Sequence, residues 1–183
     1  SDIDISIETI PGSEPAVDYV RAALLAGKSV VTSNKNVVAH QGPALLTLAE
    51  RQGRQLRFEA AVGGAMPIVR ALGDGLAGDH VLRIEAILNG TSNVVLSKME
   101  STGCAMDEAI AEACAAGFAE SDPSEDLDGI DAAAKLAILC GLAFGVRVPP
   151  SAIETRTTAG INATAFAKAK LRGGTIQIGR ARV

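Results

Sequence analysis

The sequence predicts an α/β protein, with an incomplete parallel sheet at the front and a longer mixed α/β segment behind it. Three observations carry that expectation. The 183 residues are 48% apolar and 21% charged, enough for a packed core and too apolar for a disordered chain. Aromatics make up only 3% and Trp is absent, so Ala, Val, Ile and Leu must fill the core, alongside 19 Gly. The first third of the chain also reads strand, helix, strand, helix, strand, the order of parallel βαβ units.

Each element has its own warrant. Ile3, Ile5 and Ile7 alternate with acids and Ser, the period of a strand. Gly12 and Pro15 mark a turn, Pro15 suits the first turn of a helix running to about Ala26, and Gly27 ends it. Ser29–Thr32 is a short strand, Pro43–Gln52 a helix closed by Gly53, and Leu56–Glu59 a third strand. The texture then changes. Ala60–Ala65 is a small-residue loop, Pro67 starts a helix, and Val81–Leu88 reads as a long strand. Helical patterns follow over Thr91–Ser101, Asp107–Ala116, Gly129–Phe144 and Ala163–Arg172, with strand-like runs at Ala152–Arg156 and Thr175–Val183. A boundary at Glu59 divides residues 1–58 from residues 59–183.

Composition narrows the function. Lys and Arg number 17 and Asp and Glu 21, a net charge of −4 with no basic run, which argues against nucleic acid or a polybasic membrane surface as partner. The longest apolar stretch, Ala132–Val146, is broken by Lys135 and two glycines and is too short to cross a bilayer. No charged segment followed by an apolar one opens the chain. Cys104, Cys114 and Cys140 are odd in number and lack C-x-x-C spacing, as expected of thiols in a reducing compartment. The expectation is a soluble, cytoplasmic protein.

Two motif matches fail on context. Gly73-Asp-Gly75-Leu-Ala-Gly78 fits G-x-G-x-x-G, but that motif needs a strand before it and a helix after it, and here the order is reversed. Asp126, Asp128 and Gly129 resemble part of a calcium loop whose twelfth position would be Lys135 instead of Glu. Asn89-Gly-Thr91 and Asn162-Ala-Thr164 are glycosylation sequons without a secretion signal, and His40 and His80 lack partners at metal-ligand spacing.

The acidic loop is more informative. Six acids fall within residues 120–131, namely Glu120, Asp122, Glu125, Asp126, Asp128 and Asp131, and Lys135 follows inside an apolar helix. Asp131 and Lys135 stand four apart and share a helix face. One reading is a surface ion pair worth about 0.3–0.5 kcal/mol. The other is a lysine whose amine is drawn toward neutrality by burial and back up by carboxylates, a balance that suits proton transfer. Lys35, after Thr32-Ser-Asn34, lies at the carboxyl end of a parallel strand, where open α/β sheets bind ligands. It is either a solvated loop lysine or a ligand group. Val62-Gly-Gly64-Ala-Met66 is either a plain turn or a loop whose backbone approaches an ion or ligand.

Four runs together resemble the homoserine dehydrogenase family over nearly the whole chain. They are Gly27-Lys-Ser-Val-Val-Thr-Ser-Asn-Lys35, Phe58-Glu-Ala-Ala-Val-Gly-Gly-Ala-Met-Pro67, Ile87-Leu-Asn-Gly-Thr-Ser-Asn93, and Gly117-Phe-Ala-Glu-Ser-Asp-Pro123 continuing through Asp126-Leu-Asp-Gly-Ile-Asp131 to Lys135. The resemblance implies a partial Rossmann-like domain over residues 1–58 and a catalytic and dimerisation domain over 59–183. It implies NADPH- or NADH-dependent reduction of aspartate 4-semialdehyde to homoserine, on the route to threonine and methionine. In that case Lys135 is the acid/base, Asp131 poises it, and Lys35 assists near cofactor and substrate. Glu120 holds the substrate amino group, Asp126 is a second substrate-side carboxylate, and Gly117 lies near the nicotinamide. The main-chain carbonyls of Glu59, Val62, Gly64 and Met66 match a sodium-binding loop, and the subunit is expected to pair as a homodimer.

The match has gaps. The family's opening strand and glycine-rich cofactor turn have no counterpart in these residues, nor does its last glycine-rich segment and helix. Pro11 replaces a glycine and Ser33 stands where Ala is common. An alternative reading is therefore a catalytically incompetent piece that pairs or binds substrate only. A semialdehyde dehydrogenase would need a nucleophilic Cys, and none of the three lies beside a convincing His.

Overall fold

The structure, a computed structural model, describes residues 2–176 and forms two compact units. The first comprises Ser1–Leu82 and Ala134–Ile153, the second Arg83–Ala133 and Glu154–Val183.

In the first unit, strands β1 (Ile5–Glu8), β2 (Ser29–Thr32) and β3 (Leu56–Arg57) form a parallel sheet in that order. Helices α1 (Ala16–Leu25) and α2 (Lys35–Arg51) make the crossovers. Register pairs Glu8 with Thr32 and Val30 with Leu56. One sheet face, carrying Glu8, Val30, Thr32 and Leu56, is buried, and Val17, Val20 and Leu24 of α1 with Val37 and Leu45 of α2 are buried in the same unit. The other face is open: Ile5, Ile7 and Val31 are 58%, 73% and 40% exposed. The isoleucine alternation that marks β1 thus lies on the open side, and a carboxylate points inward.

Helix α2 starts eight residues earlier than Pro43 suggests, so Pro43 lies inside it. Asn34 is the cause: its Oδ1 accepts from the amides of Asn36 and Val37, both at 3.1 Å, and caps the helix ahead of the proline. Strand β3 is also shorter than expected, because Glu59–Ala61 turns as a 3₁₀ helix. The short helix α3 (Ile68–Arg70) follows, then a wide helical turn over Ala71–Gly75.

The second unit contains α4 (Gly90–Thr102), α5 (Met106–Ala115), α6 (Ser124–Leu127) and α8 (Ala163–Leu171). Val95, Leu96 and Met99 of α4, Ala109 and Ala113 of α5, and Phe166 of α8 form its core. The alanines let α4 and α5 approach closely. Helix α7 (Ile130–Phe144) begins in this unit and continues into the first, where Leu136, Ile138, Leu139 and Cys140 are buried. All three cysteines are free thiols, and burial pushes the Cys140 thiol up.

Two expected strands do not form among the described residues. Residues 81–88 keep their alternating apolar pattern without strand pairing, and 152–156 leaves a 3₁₀ turn over Pro150–Ala152 as irregular chain. A period-two pattern specifies a face, but a strand also needs a neighbouring ladder, and the described residues supply none. Of the third run, Thr175–Val183, residues 177–183 lie outside the described residues.

One buried group in the second unit stands out. The Thr158 hydroxyl is buried with no hydrogen-bond partner among the described residues. Thr158→Val is expected to leave stability unchanged or raise it by up to about 1 kcal/mol, since an unpaired hydroxyl gains nothing from burial. A loss of that size in a urea titration would mean that the hydroxyl is paired.

Candidate active site

The carboxyl ends of β1 and β2 are organised by side chains. Glu8 is buried; its carboxylate accepts from Thr32 Oγ1 at 2.5 Å and from the Ile10 amide at 2.6 Å. The Thr32 hydroxyl accepts from the Asn34 amide at 2.9 Å, and Asn34 Nδ2 donates to the Ile10 carbonyl at 2.8 Å. A second donation from the same nitrogen reaches the Gly12 carbonyl. The loops after both strands are therefore stitched to the first turn of α2. Lys35 is the first residue of that helix, so it is a helix-start lysine on a braced strand end, and not a loop residue.

The Glu59–Met66 loop follows β3. The Glu59 side chain accepts from the amides of Val69 at 2.8 Å and Arg70 at 2.9 Å, closing the loop onto α3. Its main-chain carbonyl accepts from the Val62 and Gly63 amides, both at 3.2 Å, and that of Met66 accepts from the Ile68 amide at 2.9 Å. The Val62 and Gly64 carbonyls accept no hydrogen bond among the described residues. Two of these four carbonyls are thus shared with amides and two are not, among the described residues.

In the second unit the acidic loop is anchored at both ends. Gly117 adopts φ +76° just past α5, which allows the chain to turn, and no side chain crowds the place a Cβ would take. Thr91 Oγ1 donates to the Phe118 carbonyl at 2.9 Å, and Cys114 Sγ donates to the Glu120 carbonyl at 3.2 Å. The Glu120 side chain stays exposed. The Ser124 hydroxyl and amide hold the Asp122 carboxyl below the usual carboxylate range.

Asp126 and Asp131 come together. Asn89 Nδ2 donates to Asp126 Oδ1 at 2.6 Å and to Asp131 Oδ2 at 2.9 Å. Asp131 is 4% exposed, so it is no surface acid. Lys135 follows one turn later on α7, half-buried and flanked by Ala132, Ala133, Ala134 and Leu136, all buried. Lys35, Lys135 and the Glu59–Met66 loop belong to the first unit, and Gly117, Glu120, Asp126 and Asp131 to the second. Among the described residues, no three acids, His or Cys converge as metal ligands.

Sequence reasoning missed Glu8, Asn34 and Asn89. Both asparagines sit at helix starts, and Asn is a favoured N-cap, so that signal was readable. Their distant partners were not. A separate cavity of about 290 Å³ in the first unit, lined by Val38, Phe58, Ile138, Leu142 and Arg147 among others, carries none of the expected site residues. Its apolar wall does not suit an amino-acid substrate.

A sequence model of homoserine dehydrogenase matches residues 67–181, and one of the homoserine dehydrogenase NAD-binding domain matches residues 1–59. Homoserine dehydrogenases of Mycobacterium tuberculosis and Corynebacterium glutamicum are each 44% identical over 177 residues, covering 97% of this chain and 40% of theirs. Among solved structures, a putative homoserine dehydrogenase from Archaeoglobus fulgidus superposes with a TM-score of 0.93 at 40% identity, over 100% of this chain and 56% of that one. A hyperthermophilic archaeal homoserine dehydrogenase in complex with NADPH superposes at 0.74 with 37% identity, covering 79% of this chain and 44% of its own. The chain thus spans about 40% of the length of the curated relatives it matches.

Proposed function

The chain belongs to the homoserine dehydrogenase family, and on that premise we propose that it carries the substrate-side machinery for NADPH- or NADH-dependent reduction of aspartate 4-semialdehyde to homoserine. The observation that carries the reading is the buried Asp131 carboxylate set one helical turn before Lys135, sharing its Asn89 donor with Asp126. The division into residues 1–58 and 59–183 follows the same reading, as do a route toward threonine and methionine, a cytoplasmic location and a homodimer. Light scattering on the full-length protein tests the last of these.

When bound, the nicotinamide supplies a hydride to the carbonyl carbon. Charge then grows on the carbonyl oxygen, and Lys135 Nζ donates its proton there while its ammonium stabilises the developing alkoxide. Asp131 orients that ammonium. Glu120 accepts from the substrate amino group, Asp126 adds a second anion on the substrate side, and Lys35, at the braced end of β2, assists as a further cation. Gly117 offers uncrowded backbone to the nicotinamide. Sodium on the Glu59, Val62, Gly64 and Met66 carbonyls would fix the loop after β3.

The test is homoserine-dependent reduction of NADP⁺ or NAD⁺ by the full-length protein, followed by nicotinamide absorbance. Turnover is expected with homoserine and not with homologues lacking the amino group. A folded protein inactive on homoserine overturns the proposal. Repeating the assay with tetramethylammonium in place of sodium tests the ion, whose loss is expected to lower the melting temperature.

A further inference from the structure

Asn89 occupies an unusual position for an amide. It is 4% exposed, and each of its two N–H groups goes to a different carboxylate, Asp126 on α6 and Asp131 on α7. Its Oδ1 accepts from the Ser92 amide at 2.7 Å, which caps α4. Ser92 is itself fully buried and donates its hydroxyl to the Asp126 main-chain carbonyl at 2.8 Å. These contacts fix the orientation of the amide. Turned over, its oxygen would face two carboxylates and its nitrogen the Ser92 N–H.

Two carboxylates within hydrogen-bond reach of one nitrogen repel each other. The amide holds them there by giving each a donor, and it adds no cation that would compete for a substrate ammonium or for a lysine. A displacement of one carboxylate pulls on the other through a rigid planar group. Nothing in the helix cap alone requires this, since a Ser or Asp side chain would also cap α4.

We propose that Asn89 is a positioning residue for the reaction, setting the Asp131 carboxylate ahead of Lys135 and tying it to the substrate-side carboxylate of Asp126. The inference rests on the acid/base reading of Lys135 given above. Its chemical content is that occupancy of the Asp126 side and orientation of the lysine are linked through one amide. Substrates that lack the amino group then lose turnover as well as affinity.

The experiment uses the full-length enzyme. Asn89→Asp keeps the size and the cap acceptor and removes both donors. It is expected to lower kcat by about 100-fold, the scale of a small misplacement of catalytic groups, with KM for the nicotinamide cofactor within about twofold of the parent. Asn89→Ser keeps the cap and one hydroxyl donor and is expected to recover part of that loss. Met99→Ala opens a cavity in the core beneath the same helix, away from both carboxylates; it is expected to lower the melting temperature and keep kcat. Unchanged kcat in Asn89→Asp overturns the inference, as does an equal loss of kcat in Met99→Ala. If Asn89→Asp does not fold, Asn89→Ser against Met99→Ala decides by the same comparison. An active Lys135→Ala would instead remove the acid/base reading itself, whereas an inactive Lys135→Ala beside a normal Asn89→Asp removes only the positioning role.

Discussion

Lys135→Ala in the full-length enzyme is expected to reduce kcat by about 10³-fold, within the range that general acid–base groups contribute, while the dissociation constant for the nicotinamide cofactor stays within about twofold. The reasoning runs through charge. In the proposed reaction an alkoxide would develop at the carbonyl oxygen, and without an ammonium beside it that oxygen would have to take its proton from water, whose pKa is far less suited to the transfer. Removal of a group that acts only in the transition state lowers kcat and kcat/KM together, so the two losses should match. Helix packing around position 135 is not at stake, since alanines already flank it and Ala is the best helix former. Lys135→Arg is a sharper control: it keeps the charge but does not release a proton near neutral pH, and should remain at least 100-fold impaired. Near-parental kcat in Lys135→Ala would sink the assignment.

Asn34→Ala is expected to cost about 2–4 kcal/mol of stability, measured as the shift in denaturant midpoint. The cap accounts for about 0.5–2 kcal/mol of it. The remainder comes from the two part-buried donations by Nδ2, to the Ile10 and Gly12 carbonyls, since an acceptor left unpaired away from water costs up to about 1–3 kcal/mol. Gly12 is exposed and its carbonyl can turn to water, which keeps the sum below the maximum. Asn34→Asp separates the parts: the cap acceptor survives, both donors vanish, and a second carboxylate enters near Glu8. It should be no better than alanine even though Asp is an equally good cap. If Asn34→Ala loses less than about 0.5 kcal/mol, the stitching of the strand ends carries no weight.

Much of this was legible in the residues. The βαβ order, the glycine that ends each of several helices, and the Asp131–Lys135 spacing all follow from local rules, and each acts over a few residues. The start of α2 was misplaced because Pro43 is a strong local signal, yet the helix runs through it: an interior proline gives up one intrahelical hydrogen bond and bends a helix without having to end it. Residues 81–88 failed as a strand for the opposite reason: the local pattern is present, and the partner that completes a strand is a tertiary matter. The same limit hid Asn89. Its cap role is written in the sequence, but its carboxylate partners lie 37 and 42 residues away, and no spacing rule reaches that far.

The open face of the three-stranded sheet has a practical consequence. Ile5, Ile7 and Val31 form an exposed apolar patch, and β1 presents an unpaired backbone edge within the described sheet. Such surfaces recruit one another in concentrated solution. A polypeptide of these 183 residues should therefore self-associate through its β1 margin, and lysine placed at Ile5 or Ile7 should restore solubility without touching the acids and lysines of the proposed site.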